Sequence, residues 1–363
     1  MRTAPESCER DRDRTSAPGS PGPWPGSGRS RHLPRRAALL TTGATALVAL
    51  AALTATVVTP GGDGGGPPAP GGPTGGRTGR PAAVPLPWPH EGQASVLVEG
   101  LGDRGDLGTH GSQTPVPIAS IAKVMTAYVI LRDHPLHDGE SGPRVTVDES
   151  AANESVSGVE SSVPVVQGRR LSERQLLELM LIPSGNNIAR LLARWDAGSQ
   201  QAFVVKMNRA ARDLGMDRTT YTGASGIEPT TTSTSADQLK LVRQVMRDKV
   251  FRSVVALPGT TVPGVPGTIL NTNTLLGTSG VIGLKTGSST PAGGALMWAA
   301  IAPDRGGRDR LALGVVLHQR AGTSPQEGLN AALDASGSLI EGVRRWVAGN
   351  ESGPTAGPRP GRR

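Results

Sequence analysis

Three short motifs, Ser120-Ile-Ala-Lys123, Ser184-Gly-Asn186 and Lys285-Thr-Gly287, stand in that order, their first residues 64 and then 101 residues apart. Together they hold the parts of an active-serine acyl-transfer site: a hydroxyl, an amine able to act as a base, and a fixed cation. A chain that uses them as one site must fold so that three distant stretches meet in a single cleft. The lysines sharpen the point. Only five of the 38 basic residues are lysine, and two of the five fall in these motifs. Arginine keeps its proton in a protein, whereas a desolvated lysine can release one.

Charge is unevenly placed. Residues 1–36 carry eight Arg and four acids, whereas residues 89–347 carry 25 basic and 24 acidic residues. The high pI therefore belongs to the flanks, which argues against a nucleic-acid partner for the body. Scarce aromatic residues argue the same way. Cys8 is the single cysteine, and the six histidines make no His-x-x-x-His pair. No cofactor or metal is expected from this set.

The chain divides by composition. Residues 1–36 are rich in Arg, Asp, Ser, Pro and Gly and read as a disordered cytoplasmic arm. Residues 37–58 lack any charge and follow Arg29, Arg31, Arg35 and Arg36. As a helix they would extend about 33 Å, enough to cross a hydrocarbon core. The arginines before it place the N-terminus inside and the rest outside, a single-pass anchor in the cell membrane with an extracytoplasmic body. The alternative is secretion after cleavage of a signal, which includes a twin-arginine signal at Arg35-Arg36. Residues 59–88 form a Gly/Pro-rich tether, 89–347 the catalytic body, and 348–363 a disordered tail.

Within the body, Ala94 to Val98 reads as a first strand. Ser120 to Leu131 reads as an apolar helix just after Pro117. Ser172-Glu-Arg-Gln175 is a capping box, and Ser235-Ala-Asp-Gln238 reads as another. Phe203 to Leu214 is a helix with Gly215 at its stop. Gly294 to Ala302 and Leu311 to Leu317 form a hairpin through Pro303–Gly307, and Gln326 to Val347 returns to helix. Strand early, helices in the middle and strands late predict an α+β fold whose sheet draws on both ends of the body.

Each motif also has its own local logic. Ser120 and Lys123, at i and i+3, share a helix face, so the amine can reach the hydroxyl. Burial among Ile118, Ile121, Val124 and Met125 should depress its pKa into the range of a general base. Ser184-Gly-Asn186 follows Pro183 at a break between helices. Lys285 reads as the end of a strand, beside the Thr286 hydroxyl, and Gly287 would let a substrate backbone approach closely.

The segments Pro117–Thr126, Leu176–Asn186, Met207-Asn208, Leu214-Gly-Met216 and Gly283–Gly287 resemble, in order, those of the D-alanyl-D-alanine carboxypeptidases. These are the low-molecular-mass penicillin-binding proteins, and the resemblance covers most of residues 94–345. It implies an antiparallel sheet flanked by helices plus a mainly helical subdomain, of the DD-peptidase/β-lactamase kind. It implies that Ser120 attacks the carbonyl between two D-alanines of a peptidoglycan stem peptide, with Lys123 as base and Ser184 as proton relay. Asn186 would orient the substrate amide, Lys285 and Thr286 would hold its carboxylate, and the backbone N–H groups of Ser120 and Ser288 would form the oxyanion hole. β-Lactams would acylate Ser120. The sequence departs from the family at Asn187-Ile188, where Asp-Ala is usual, and at Gly223–Ile227, which lacks the usual proline. Arg320 lies near the place of a further basic residue. Two other functions use the same features: a serine β-lactamase, and a non-catalytic membrane-anchored peptidoglycan-binding protein. None of Glu149, Glu154 and Glu160 has the setting of a lactamase's water-activating glutamate.

Overall fold

The computed structural model describes residues 85–350, apart from 157 and 159. The expected arm at 1–36, the anchor at 37–58, most of the tether and most of the tail lie outside the described residues. Among the described residues no helix is long and apolar enough to cross a membrane.

The body is built on five antiparallel strands, β1 (Gln93–Val98), β2 (Asp106–His110), β3 (Val281–Ser289), β4 (Gly293–Pro303) and β5 (Asp309–Gln319). Their spatial order is β2-β1-β5-β4-β3, so the first and last strands of the body are neighbours and β3 lies at an edge. The predicted α+β sheet drawn from both chain ends is what forms. β4 and β5 are the predicted hairpin, and β2 is an additional strand.

Period-two alternation sorts the side chains. Ala94, Val96, Val98, Leu296, Trp298, Ala300, Ala312 and Val316 share one core with the last helix, α8 (Pro325–Gly349). Met297, Ala299, Leu313, Val315 and Leu317 point the other way, into a second core shared with the middle helices. Those helices are α1 (Lys123–Asp133), α2 (Glu149–Glu154), α3 (Glu173–Leu181), α4 (Asn186–Ala197), α5 (Gln200–Asp213), α6 (Ser235–Val245) and α7 (Lys249–Val255). α1 is buried along most of its length, only Tyr128, Arg132 and Asp133 reaching solvent. That explains a helix apolar on nearly every side: it runs through the centre of the helical layer.

Two local expectations are corrected. Ser120 sits in a 3₁₀ turn, Ala119–Ala122, and the α-helix begins only at Lys123. The second capping box does not form. Thr234 caps α6 by accepting from the Asp237 N–H, while the Ser235 hydroxyl turns to Ser95, 2.8 Å away on β1. The box at Ser172 and Gln175 forms as predicted.

Trp298 is fully buried, and β4–β5 register places it opposite Gly314. A Cβ at Gly314 would lie 2.1 Å from the indole Cζ2. The indole has no free space to retreat into, so Gly314→Ala should cost ~1–3 kcal/mol by overpacking. A thermal scan should find Tm lower by roughly 3–8 °C.

Candidate active site

The nucleophile turn, the α3–α4 junction and β3 converge. Ser120 is half-buried at the surface of the site, and Lys123 behind it is fully buried. The Lys123 Nζ lies 2.9 Å from Ser120 Oγ, 2.5 Å from Asn186 Oδ1 and 2.8 Å from the Ser225 carbonyl oxygen. Segment Ala224–Ser225 is fixed in turn by Thr126 of α1, whose hydroxyl donates to the Ala224 carbonyl at 2.7 Å.

The three oxygens define what the amine can do. As an ammonium it donates to all three. As a neutral amine it has two hydrogens and one lone pair. A carbonyl and an amide oxygen can only accept, so they take the two hydrogens. The lone pair is left for the Ser120 O–H, which is the arrangement of a general base. The neutral form is favoured because burial drives the Lys123 pKa well below its ordinary value. The Lys285 and Arg190 charges push the same way, against Glu160 and Glu228.

The second motif is held under strain. Ser184 adopts φ +69° between α3 and α4, in the left-handed region, and Ala119 just before the nucleophile has φ +47°. The Ser184 Oγ is buried and has no hydrogen-bond partner among the described residues. The Asn186 N–H donates to the Ser161 carbonyl at 2.8 Å, pinning the turn. The residue after it accounts for its own departure from the family pattern. Asn187 accepts from the Val163 N–H and donates to the Val163 and Ala151 carbonyls. An aspartate could not make the two donations.

The third motif lies in mid-strand rather than at a strand end, because β3 runs on to Ser289. Lys285 pairs in register with Met297, whose side chain faces the helical layer, so the lysine enters the site from the sheet side. It is buried, its Nζ donates to the Thr286 carbonyl at 2.9 Å, and burial lowers its pKa to about 7. The Thr286 hydroxyl is 2.6 Å from that of Thr272. Ser288 is half-buried farther along the strand. Gly287 also answers a requirement within the protein. A Cβ there would lie 2.9 Å from the Ile121 N and 3.1 Å from the Ser120 N. The missing side chain lets β3 press against the nucleophile turn itself.

Three participants are absent from the motifs. Glu160 accepts from the Asn186 Nδ2 at 2.8 Å and pairs with Arg190. Arg190 also bonds Glu154 at 2.8 Å. Ser225 contributes only a main-chain oxygen. Arg190 stands four residues after Asn186, on the same helix face, which is a legible signal once α4 is placed. No group of His, Cys, Asp and Glu suited to a metal ion occurs among the described residues.

Comparison with known proteins agrees with this geometry. The family described as D-alanyl-D-alanine carboxypeptidase matches residues 90–317. The D-alanyl-D-alanine carboxypeptidase of Streptomyces sp. strain K15 is 33% identical over 218 residues, 56% of this chain and 73% of that protein. The D-alanyl-D-alanine carboxypeptidase DacB2 of Mycobacterium tuberculosis is 33% identical over 233 residues, 62% of this chain and 75% of the relative. The crystal structure of the Streptomyces K15 DD-transpeptidase superposes with a TM-score of 0.58 at 28% identity, covering 68% of this chain and 95% of the other.

Gly287→Ala tests the contact between sheet and nucleophile turn. The added methyl must push the Ser120 backbone aside or move β3. The backbone must give by a few tenths of an ångström, and a misplacement of about 1 Å costs about 100-fold, so acylation by a penicillin should fall by about 10-fold. Far-UV circular dichroism should be unchanged.

Proposed function

The chain belongs to the D-alanyl-D-alanine carboxypeptidase family, and we propose that it removes the terminal D-alanine from peptidoglycan stem peptides through a Ser120 acyl-enzyme. One observation carries this reading: a buried amine whose two acceptor-only neighbours leave its lone pair for the serine.

The geometry supports a two-step acyl transfer. Lys123 takes the Ser120 proton as the oxygen attacks the carbonyl between the two D-alanines. Negative charge develops on the carbonyl oxygen, where the backbone N–H groups of Ser120 and Ser288 would hold it. The Ser184 hydroxyl, buried and without a partner among the described residues, passes its proton to the departing nitrogen and takes in exchange the one that Lys123 received from Ser120, which restores the neutral amine. D-Alanine leaves and an ester to Ser120 remains. Water, activated by Lys123, then hydrolyses the ester. Lys285 and Thr286 hold the substrate carboxylate. The edge position of β3 supports an extended peptide laid beside it, since an edge strand offers unpaired backbone groups. A β-lactam presents a similar carbonyl and carboxylate and acylates the same oxygen.

The proposal extends to location. An anchor at 37–58 and the Gly/Pro tether would hold the body outside the membrane, where stem peptides are found; the arginines before the apolar stretch support this.

The alternatives gain no support. A class A serine β-lactamase adds a glutamate able to activate the deacylating water. Glu160 reaches the site, but both its oxygens are engaged by Arg190 and Asn186. Although burial alone would raise its pKa, those bonds lower it on balance, which makes it a poor base. A pure binding scaffold has no use for two buried, destabilised lysines.

Fluorescent penicillin should label the wild type and leave Ser120→Ala unlabelled. Release of D-alanine from an acyl-D-alanyl-D-alanine peptide should fall by at least ~10³-fold in that variant. Failure of the wild type to take the label would overturn the reading.

A second prediction concerns pH. Lys123 must be neutral to act, so kcat/KM should rise with pH on the acid side. Lys285 must be charged to hold the carboxylate and loses its proton near pH 7 in the free enzyme. Activity should therefore decline above about pH 7, mostly through KM. Lys285→Arg keeps its charge at high pH, so the alkaline decline should vanish even if the rate is lower.

A further inference from the structure

Asn186 has an amide that could sit in either of two orientations, and only one serves the base. With Oδ1 toward Lys123, the amide accepts an amine hydrogen. Turned over, its NH2 would compete for the amine lone pair that the serine proton needs. The deciding group is on the far side. The Glu160 carboxylate is acceptor-only and lies 2.8 Å from Asn186 Nδ2, so the NH2 must face it. The carboxylate is itself fixed. Arg190 bonds both its oxygens, at 3.3 Å from Nη1 to Oε2 and more closely from Nη2 to Oε1. Arg190 is braced by Glu154, and the neighbouring segment by the bonds of Asn187 to Val163. The Glu160 and Arg190 side chains are mostly buried, 14% and 11% exposed.

We propose that Glu160, clamped by Arg190, is a positioning residue that locks the Asn186 amide so that the neutral Lys123 presents its lone pair to Ser120. This rests on the acyl-enzyme reading above and adds the group that makes the base competent. Glu160 touches neither serine nor substrate in this scheme; it acts through Asn186. Its charge has a second effect. The groups acting on Lys123 are Lys285 from β3, Arg190 from α4, and Glu160 and Glu228 from the flanking loops. Glu160 favours the ammonium and Arg190 opposes it, so removing one should shift the Lys123 titration opposite to removing the other.

The test measures penicillin acylation and peptide kinetics against pH in the full chain, for Glu160→Gln, Glu160→Ala and Arg190→Gln. Glutamine fills the space of Glu160, so a role in packing alone would leave the rate near that of wild type. Positioning gives a different result. Arg190 only donates and draws the new amide oxygen to itself. The glutamine NH2 is then turned on Asn186, which is forced over. The plateau rate should fall by about 10- to 100-fold, the value of one charge-assisted hydrogen bond, with KM changed less than about threefold. The acid limb should move to lower pH by about one unit in both Glu160 variants, and to higher pH in Arg190→Gln. Thermal scans check folding. If Glu160→Gln does not fold, the opposed limb shifts of Glu160→Ala and Arg190→Gln still decide. Wild-type rates in Glu160→Gln, or limbs that move together, would overturn the proposal. A wild type that never acylates would instead overturn the functional reading beneath it.

Discussion

The structure turns on keeping one amine out of water and beside one hydroxyl. Lys123 is fully buried, and the helix it opens is buried along most of its length. Desolvation of an ammonium is expensive, and the site compounds the cost by placing Lys285 and Arg190 near it. For Lys285 the shift from its ordinary value to about 7 disfavours the charged form by on the order of 4–5 kcal/mol. A fold gives up stability of that size only where the surrounding cores are large enough to carry it. Two continuous cores, one on each face of the sheet, do so.

The same economy appears in the backbone. Ala119 and Ser184 both take positive φ, and a residue with a Cβ costs about 1–2 kcal/mol there. Neither turn can relax. Gly226 packs so tightly on the Ala119 carbonyl that a Cβ would come within 2.1 Å of it, and Gly287 abuts the next two residues. The Ser184 turn is held from both sides, by Gly185 N–H to Leu179 and Asn186 N–H to Ser161. Glycines and main-chain bonds thus fix the positions of the Ser120 and Ser184 hydroxyls.

Much of this was legible in the chain. The sheet could be read because its late strands are uninterrupted apolar runs around a turn, and the candidate hydroxyl and amines because their motifs are compact. What stayed hidden has physical reasons. Ser225 acts through a carbonyl, which every residue possesses, so no side chain advertises it. Glu160 was weighed only as a water-activating base; its bond to Asn186 depends on a loop path that local sequence does not encode. Thr234 and Ser235 are equally good caps, and the choice between them is made by Ser95 on a strand 140 residues away. Gly287 was expected to admit a substrate backbone; its contact with the Ser120 turn comes from a distant stretch that local sequence does not reveal.

The arrangement of charges also bears on the base proposed for the site. Both amines are buried, so both are pushed toward neutrality. Lys123 additionally feels Lys285 and Arg190, while Glu160 and Glu228 only partly compensate; for Lys285 burial is the operative cause. Two interacting amines titrate as a pair, and near neutral pH the pair shares one proton more readily than two. With the proton on Lys285, Lys123 is neutral beside Ser120, which is the division that the proposed acyl transfer needs: a base at the nucleophile and a cation at the substrate carboxylate. Arginine at position 123 would break it, since a guanidinium could never be neutral. A lysine at 123, in a chain that otherwise prefers arginine, follows from that requirement.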